Sequence, residues 1–111
     1  MADSFEIAGF RVLVEGDEAI CRFAGVEVPT PEVLPNPQEA FAKELQPGGR
    51  LAGKRLVVAL DDVPAISSSQ LGSLLAIHKA TGREDKTVVR SAGPNIRELF
   101  DITRMDRYFD Y

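Results

Sequence analysis

The strongest constraint on the fold is an uninterrupted apolar run at residues 56–60, which reads Leu-Val-Val-Ala-Leu. A strand that faces water on one side alternates apolar and polar side chains, because successive residues point to opposite faces of the sheet. This run has no polar position and contains β-branched valines, which is typical of a strand buried on both faces. It therefore predicts a central strand in a parallel or mixed sheet.

Upstream of this run, two short segments predict a β-hairpin. Val12 and Val14 share one face at a two-residue period, and residues 19–24 alternate in the same way. Gly16 and Asp17 lie between the two segments and are typical of a tight turn. We expect this hairpin to form the N-terminal edge of the sheet.

Residues 26–50 are a proline- and glycine-rich segment that we expect to be variable and to contain one short helix. Prolines between residues 29 and 35 exclude a central strand or a helix there, so an extended connection is predicted. The helix is predicted to begin near Pro37, which suits the first helical position, and to end at Pro47. The loop at residues 46–53 is expected to be mobile.

The rest of the chain predicts a helix, a strand and a last helix. Residues 67–81 carry leucines at helical spacing and are followed by Gly82, a typical helix terminator. Residues 86–90 predict a short strand, and Pro94 opens a helix with an apolar stripe.

The order of these elements determines the predicted fold class, because strands that alternate with helices imply right-handed crossovers. We predict a single α/β domain over residues 1–111. It has a mixed sheet of about four to five strands, an N-terminal β-hairpin, and three to four helices packed against the sheet.

The most informative motif follows the buried strand. A polar loop with the apolar residue Ile66 leads into three serines at residues 67–69, which open a helix that continues with Leu71-Gly72 after Gln70. This order resembles the STAS domain of bacterial anti-sigma factor antagonists, where a strand precedes a turn similar to D-L-S-G-V and then I-D-S-S-G-L-G at a helix start. Residues 93–109 resemble the closing helix and tail of that family, so the resemblance implies a STAS-like fold.

The resemblance implies a phosphorylation site in the serine run. In the family, the second serine of D-S-S-G accepts a phosphate from an anti-sigma kinase. That position is Ser69 here, and Ser68 is the second choice. The family aspartate and glycine of this motif are replaced by Ser67 and Gln70.

The function implied by the resemblance is that of a non-enzymatic regulatory binding module. It implies partner switching, in which the unmodified domain binds an anti-sigma factor or related serine kinase and phosphorylation weakens that binding. A monomer or weak homodimer is expected. The implied partner-binding residues lie in the loop after the central strand and at the helix start: Asp61, Asp62, Ser67, Ser68, Ser69, Gln70, Gly72 and Ser73.

The same serines have a purely structural interpretation. Ser67 and Gln70 have the spacing of a capping box, and in this interpretation the cluster serves only to start a helix. A phosphate in this first turn is nevertheless compatible with folding, because free backbone N–H groups and the helix dipole hold anions.

Two alternative functions remain open at this point. The replacement of the family aspartate and glycine favours a STAS-like scaffold or interaction domain that is not phosphorylated. A small nucleotide-binding or enzymatic domain that uses Asp61, Asp62 and Ser69 is the other alternative, and it predicts a deep pocket with perturbed carboxylate pKa values. A Ser69–His78 dyad is not predicted, because nine helical positions place the two residues on opposite faces and about 13 Å apart along the axis.

Composition excludes several other classes. Seventeen acidic and thirteen basic residues give a net charge of −4, which disfavours nucleic-acid binding. The single cysteine, Cys21, excludes an internal disulfide and a multi-cysteine zinc site and suits a reducing compartment. No membrane span and no signal peptide are recognised, so a cytoplasmic domain is expected. Adjacent carboxylates such as Asp61 and Asp62 point in different directions, and no metal or cofactor is predicted.

Overall fold

The computed structural model describes residues 3–24, 37–61 and 63–111, and the secondary structure lies within these ranges. The strands are β1 (Asp3–Ile7), β2 (Phe10–Glu15), β3 (Glu18–Phe23), β4 (Arg55–Ala59), β5 (Thr87–Arg90) and β6 (Phe109–Asp110). The helices are α1 (Pro37–Leu45), α2 (Ser68–Thr81) and α3 (Pro94–Ile102), and a 3-10 turn covers Met105–Arg107. Among the described residues, no helix has both the length and the apolarity needed to cross a membrane.

The six strands form one mixed sheet in the order β1-β2-β3-β4-β5-β6. Strands β1 to β3 pair antiparallel, and β3 to β6 pair parallel. The predicted α/β class and mixed sheet are confirmed, as is the central position of β4. The predicted hairpin is β2–β3, but β1 pairs beyond it and forms the edge of the sheet.

The predicted count of four to five strands is too low, because β1 and β6 were missed. Strand β6 has only two residues, too few to produce an alternating pattern. It forms because β5 offers a free edge, to which Phe109 and Asp110 pair in parallel register. The predicted docking of the C-terminal residues is confirmed, since Phe109 is buried.

The main core lies between one face of the sheet and the three α-helices. A row of directly paired residues crosses four strands on this face, and all four are buried: Val12, Cys21, Val58 and Val89. Phe41 of α1 meets Phe10 edge-on at 5.9 Å, and Phe100 of α3 meets Phe109 at 5.6 Å. Leu74 and Ile77 of α2 belong to the same buried cluster.

On the opposite side of the sheet, called the open face here, an ion pair crosses the central strand. The Arg90 Nη2 donates to both carboxylate oxygens of Glu18, at 2.9 and 3.0 Å. The register places Glu18 and Arg90 on diagonally opposite sides of Val57, which is 0% exposed. Residues 56–60 are all buried, so the predicted burial of the apolar run is confirmed. The pair is half-exposed, so its direct contribution to stability is small.

The loop after α1 packs against the rest of the domain. Leu51 is fully buried, and its N–H donates to the Glu44 carbonyl at 2.8 Å. The Arg50 guanidinium lies 3.9 Å from the centre of the Phe5 ring and pairs with the Glu44 carboxylate. One buried leucine and one stacked arginine therefore anchor the loop. Of the predicted variable segment, residues 26–36 lie outside the described residues.

Substitution of two glycines tests the packing of this loop. A Cβ at Gly49 would lie 2.2 Å from the Glu44 carbonyl oxygen, whereas a Cβ at Gly72, in α2, meets no atom within 4 Å. We expect Gly49→Ala to lower the free energy of unfolding by about 1–3 kcal/mol, as overpacking does. Gly72→Ala should raise it by roughly 0.5–1 kcal/mol through helix propensity. Urea unfolding measures both, and equal effects would contradict the tight packing at Gly49.

Candidate functional site

The start of α2 has the capping box that the sequence predicts. The Ser67 Oγ accepts a hydrogen bond from the Gln70 N–H at 3.1 Å, and the Ser67 N–H donates to the Gln70 Oε1 at 2.7 Å. Ser67 is in the extended conformation of an N-cap residue. The side chains of Ser67 and Gln70 are therefore engaged in holding the first turn together.

Ser68 and Ser69 occupy the first turn, and both are exposed. The first backbone bond of the helix runs from the Leu71 N–H to the Ser67 carbonyl, so the N–H groups of Ser68 and Ser69 precede the helical ladder. Within the described part of the chain, neither hydroxyl has a hydrogen-bond partner. These two hydroxyls can therefore be modified or can bind a partner, whereas the Ser67 hydroxyl is used in the capping bond.

The first part of α2 is uncharged. From Ser67 to Ile77 the sequence contains no ionisable side chain, and Lys79 is the first fully charged residue of the helix. Leu74 and Ile77 are buried, Leu71 and Leu75 are partly exposed, and Gly72 is exposed. A helix that lies on the surface usually presents charged or polar side chains to water. Here the exposed surface of nearly three turns is instead neutral and partly apolar.

The structure places most of the predicted partner-binding residues at this end of the molecule, with two differences. Ser73 is buried at 9% exposure and its hydroxyl donates to the Ser69 carbonyl at 3.1 Å, so it faces inward. Asp61 is exposed, but its carboxylate accepts a hydrogen bond from the Arg22 Nε at 3.2 Å. Its charge is thus partly compensated by β3. Asp62 lies outside the described residues.

A shallow depression of about 400 Å³ lies where the chain leaves β4 and β5. We call it the edge depression, and it is lined by Leu60, Val63, Pro64, Ser91 and Gly93. It is open to solvent, and none of its described lining residues carries an ionisable side chain. Asp61 and Ser69 are not among the described residues that line this depression, and Asp62 lies outside the described residues.

Sequence reasoning missed Ser91 and Gly93 as parts of a surface feature. Gly93 and Pro94 predict the start of α3, and they do start it. Ser91 has a φ of +62°, a left-handed conformation that is uncommon for serine. No residue near it in the sequence signals that conformation.

His78 lies in the last turn of α2, far from the serines. Its Nδ1 is 2.8 Å from the Thr87 Oγ1, and its ring lies 5.5 Å from the Tyr108 ring and 5.7 Å from the Phe109 ring, measured between centroids. Burial lowers the pKa of His78, and the nearby Asp85 carboxylate opposes that shift. The absence of a Ser69–His78 dyad is explained by this packing, in which His78 joins α2 to β5.

Cys21 is a buried core residue. Burial raises the pKa of its thiol to about 12, so the thiol is protonated and unreactive at neutral pH. The described residues contain no group of three or more histidine, cysteine, aspartate or glutamate side chains placed to hold a metal ion.

Comparison with known proteins adds no relative. No protein-family model, curated protein or solved structure matches the chain.

The division of roles within the serine run is testable by substitution. Ser67→Ala removes the acceptor of the capping bond and should lower the free energy of unfolding by about 1 kcal/mol. Ser68→Ala, one residue further on, removes a hydroxyl without a partner and should change it by less than about 0.5 kcal/mol. Thermal or urea unfolding of both variants checks this, and a larger loss for Ser68→Ala would contradict the assignment of the cap.

The environment of His78 predicts a pH dependence of stability. The folded state lowers the pKa of His78 below its ordinary value of 6.5. Below pH 6.5, the unfolded chain therefore binds a proton at His78 more readily than the folded domain does. This contribution to stability is complete above pH 6.5 and is lost as the pH falls through the lower pKa of the folded state. His78→Gln should flatten this part of the stability profile.

Asp85→Asn is the matched control, because it removes the charge that raises the His78 pKa. It should lower the folded-state pKa further and steepen the loss of stability in acid. Urea unfolding between pH 5 and 8 measures both variants. A profile that is the same with and without His78 would show that the histidine does not titrate as its packing implies.

Proposed function

We propose that this chain is a non-enzymatic regulatory binding domain of the STAS type, similar to an anti-sigma factor antagonist. The start of α2 docks on a protein partner, an anti-sigma factor or a related serine kinase. Phosphorylation of Ser69 then weakens that complex. The observation that carries the proposal is the uncharged first part of α2, which begins with two exposed hydroxyls that have no hydrogen-bond partner among the described residues.

The geometry of Ser69 supports its role as the modified residue. Its side chain is exposed, and the cap hydrogen bonds of Ser67 and Gln70 do not involve its hydroxyl. The free N–H groups of the first turn and the positive end of the helix dipole suit a phosphate at this position. The domain therefore tolerates the modified serine in its folded state.

The neutrality of α2 supports the switching step. A phosphate adds about −1.5 to −2 charges at neutral pH. A partner surface that is complementary to uncharged serines and half-exposed leucines would have to desolvate this charge without compensating it. Modification therefore affects the complex much more than it affects the fold.

The departures from the family motif are compatible with the same local structure. Ser67 replaces an aspartate, and both residue types are strong N-caps. Gln70 replaces a glycine and completes the capping box through its amide oxygen. Each substitution thus preserves the helix start on which the serines are displayed.

The main alternative is a STAS-like interaction domain that is not phosphorylated. The first turn of α2 has no acidic residue, and this favours the alternative because a kinase that reads the family aspartate would find a neutral serine at that position. The docking surface is the same in both cases, so direct phosphorylation assays separate them.

The test combines phosphorylation with binding. Each anti-sigma factor kinase encoded in the source genome is purified and incubated with the domain and ATP, and intact and tandem mass spectrometry locate the phosphate. We expect one phosphate on Ser69 of the wild type and none on Ser69→Ala. By calorimetry, Ser69→Asp should bind the same kinase at least about tenfold more weakly, whereas Ser69→Ala should bind like the unmodified wild type.

Two controls make the result specific. Gln46→Asp adds the same charge at an exposed position after α1 and should leave binding unchanged. Urea unfolding should show that Ser69→Asp is folded. Binding without any phosphorylation would favour the unphosphorylated interaction domain, and wild-type affinity of both Ser69 variants would refute the switch.

A further inference from the structure

His78 joins helix α2 to the C-terminal residues of the chain. Its Nδ1 lies 2.8 Å from the Thr87 Oγ1 in β5, and its ring packs against the rings of Tyr108 and Phe109. The Thr87 N–H donates to the Tyr108 carbonyl at 2.9 Å, and Thr87 pairs in register with Phe109 of β6. One imidazole therefore contacts both strands at the place where residues 108–111, called the C-terminal segment here, meet the sheet.

The direction of the His78–Thr87 hydrogen bond depends on the protonation of the ring. Thr87 is buried at 6% exposure, and its hydroxyl has no other hydrogen-bond partner among the described residues. A buried hydroxyl whose proton finds no acceptor destabilises the folded state. The Thr87 hydroxyl is satisfied by a neutral ring that carries its proton on Nε2, because Nδ1 then accepts the hydroxyl proton.

Protonation of His78 removes this acceptor. Both ring nitrogens then carry protons and can only donate, so the Thr87 O–H loses its acceptor among the described residues. The rings of Tyr108 and Phe109 also replace water beside the imidazole, and a charge is less well solvated there. Burial accordingly lowers the pKa of His78.

The charged groups near the ring oppose this effect only in part. Asp85, in the loop before β5, raises the pKa of His78, but its carboxylate also pairs with Arg55 at 3.1 Å. Tyr108 is the titratable side chain that packs on the ring, and a tyrosine is uncharged at neutral and acidic pH. Strands β5 and β6 contact the ring through uncharged side chains. The other charged residues next to these contacts in the sequence are exposed: Lys79, Lys86, Asp106, Arg107 and Asp110.

We propose that protonation of His78 releases the C-terminal segment from the edge of β5. The contact is complete above pH 6.5 and is lost as the pH falls through the lower pKa of the folded state. Strand β6 has only two residues, so it detaches more readily than the longer strands of the sheet. Its release exposes the edge of β5 and the Phe100 ring, which packs against Phe109. This inference goes beyond the proposed function and does not rest on it.

The first measurement follows the ring by NMR. His78 is the one histidine of the chain, so its ring signals are unambiguous. The folded wild type should show an unprotonated Nδ1 at about pH 7.5 and a titration midpoint below 6.5. Thr87→Val keeps the shape of the side chain but removes the hydroxyl, so the midpoint should rise toward 6.5. Thr103→Val removes a hydroxyl that donates to the Leu99 carbonyl in α3 and should leave the midpoint unchanged.

The second measurement follows the C-terminal segment by amide hydrogen exchange at about pH 7.5 and pH 5.5. The Thr87 N–H reports on release because its acceptor is the Tyr108 carbonyl, and the Val58 N–H in β4 reports on unfolding of the domain. After correction for intrinsic exchange rates, Thr87 should be less protected than Val58 at both pH values. Its protection should fall at least about twofold in acid. His78→Gln offers an acceptor at every pH, so its Thr87 protection should stay constant.

Four results would overturn the inference. The first is a His78 midpoint that Thr87→Val does not raise, and the second is equal protection of Thr87 and Val58, which would mean that the segment leaves only when the domain unfolds. The third is constant Thr87 protection in the wild type, and the fourth is a loss in acid that persists in His78→Gln. Neither measurement involves a kinase or a partner, so the outcome is independent of the proposed function.

Discussion

The rest of the structure depends on the burial of β4 on both of its faces. Its apolar residues cannot remain in water, so helices must cover one side and an ion pair crosses the other. Because β3, β4 and β5 run parallel, their carboxyl ends meet at one edge of the sheet. The loop to α2 and the turn to α3 are brought together at that edge. The burial of one strand thus places the serine run at residues 67–69 near the edge depression.

The described charges near this edge are paired with groups on β3. Four arginines pair with acidic residues across or beside the open face: Arg11, Arg22, Arg55 and Arg90. These pairs are exposed, and each contributes little to stability. Two of these pairs hold the charged groups of Asp61 and Arg90 beside β3, where they meet Arg22 and Glu18. Residues 67–77, at the start of α2, carry no ionisable side chain.

The hydroxyl groups of the serine run illustrate what local sequence specifies. The Ser67–Gln70 spacing predicts the capping box, since both bonds form within one turn and need no distant partner. Ser69 is exposed and takes no part in these two bonds. Ser73 was grouped with the exposed serines, but it faces the core and bonds to the Ser69 carbonyl. Its orientation depends on where α1 and the sheet lie relative to α2, which the helical period alone does not give.

Local sequence patterns are enough to predict four features: the buried run of β4, the β2–β3 hairpin, the cap of α2 and its termination at Gly82. Contacts between segments that are distant in sequence become visible only in the folded domain. Strand β6 exists because β5 has a free edge, the loop after α1 is anchored because Leu51 reaches the core, and Glu18 meets Arg90 although 72 positions separate them. The edge depression belongs to this second group, because its wall combines residues that follow two different strands. Such features arise from the free energy of packing distant segments together, which no short window of sequence contains.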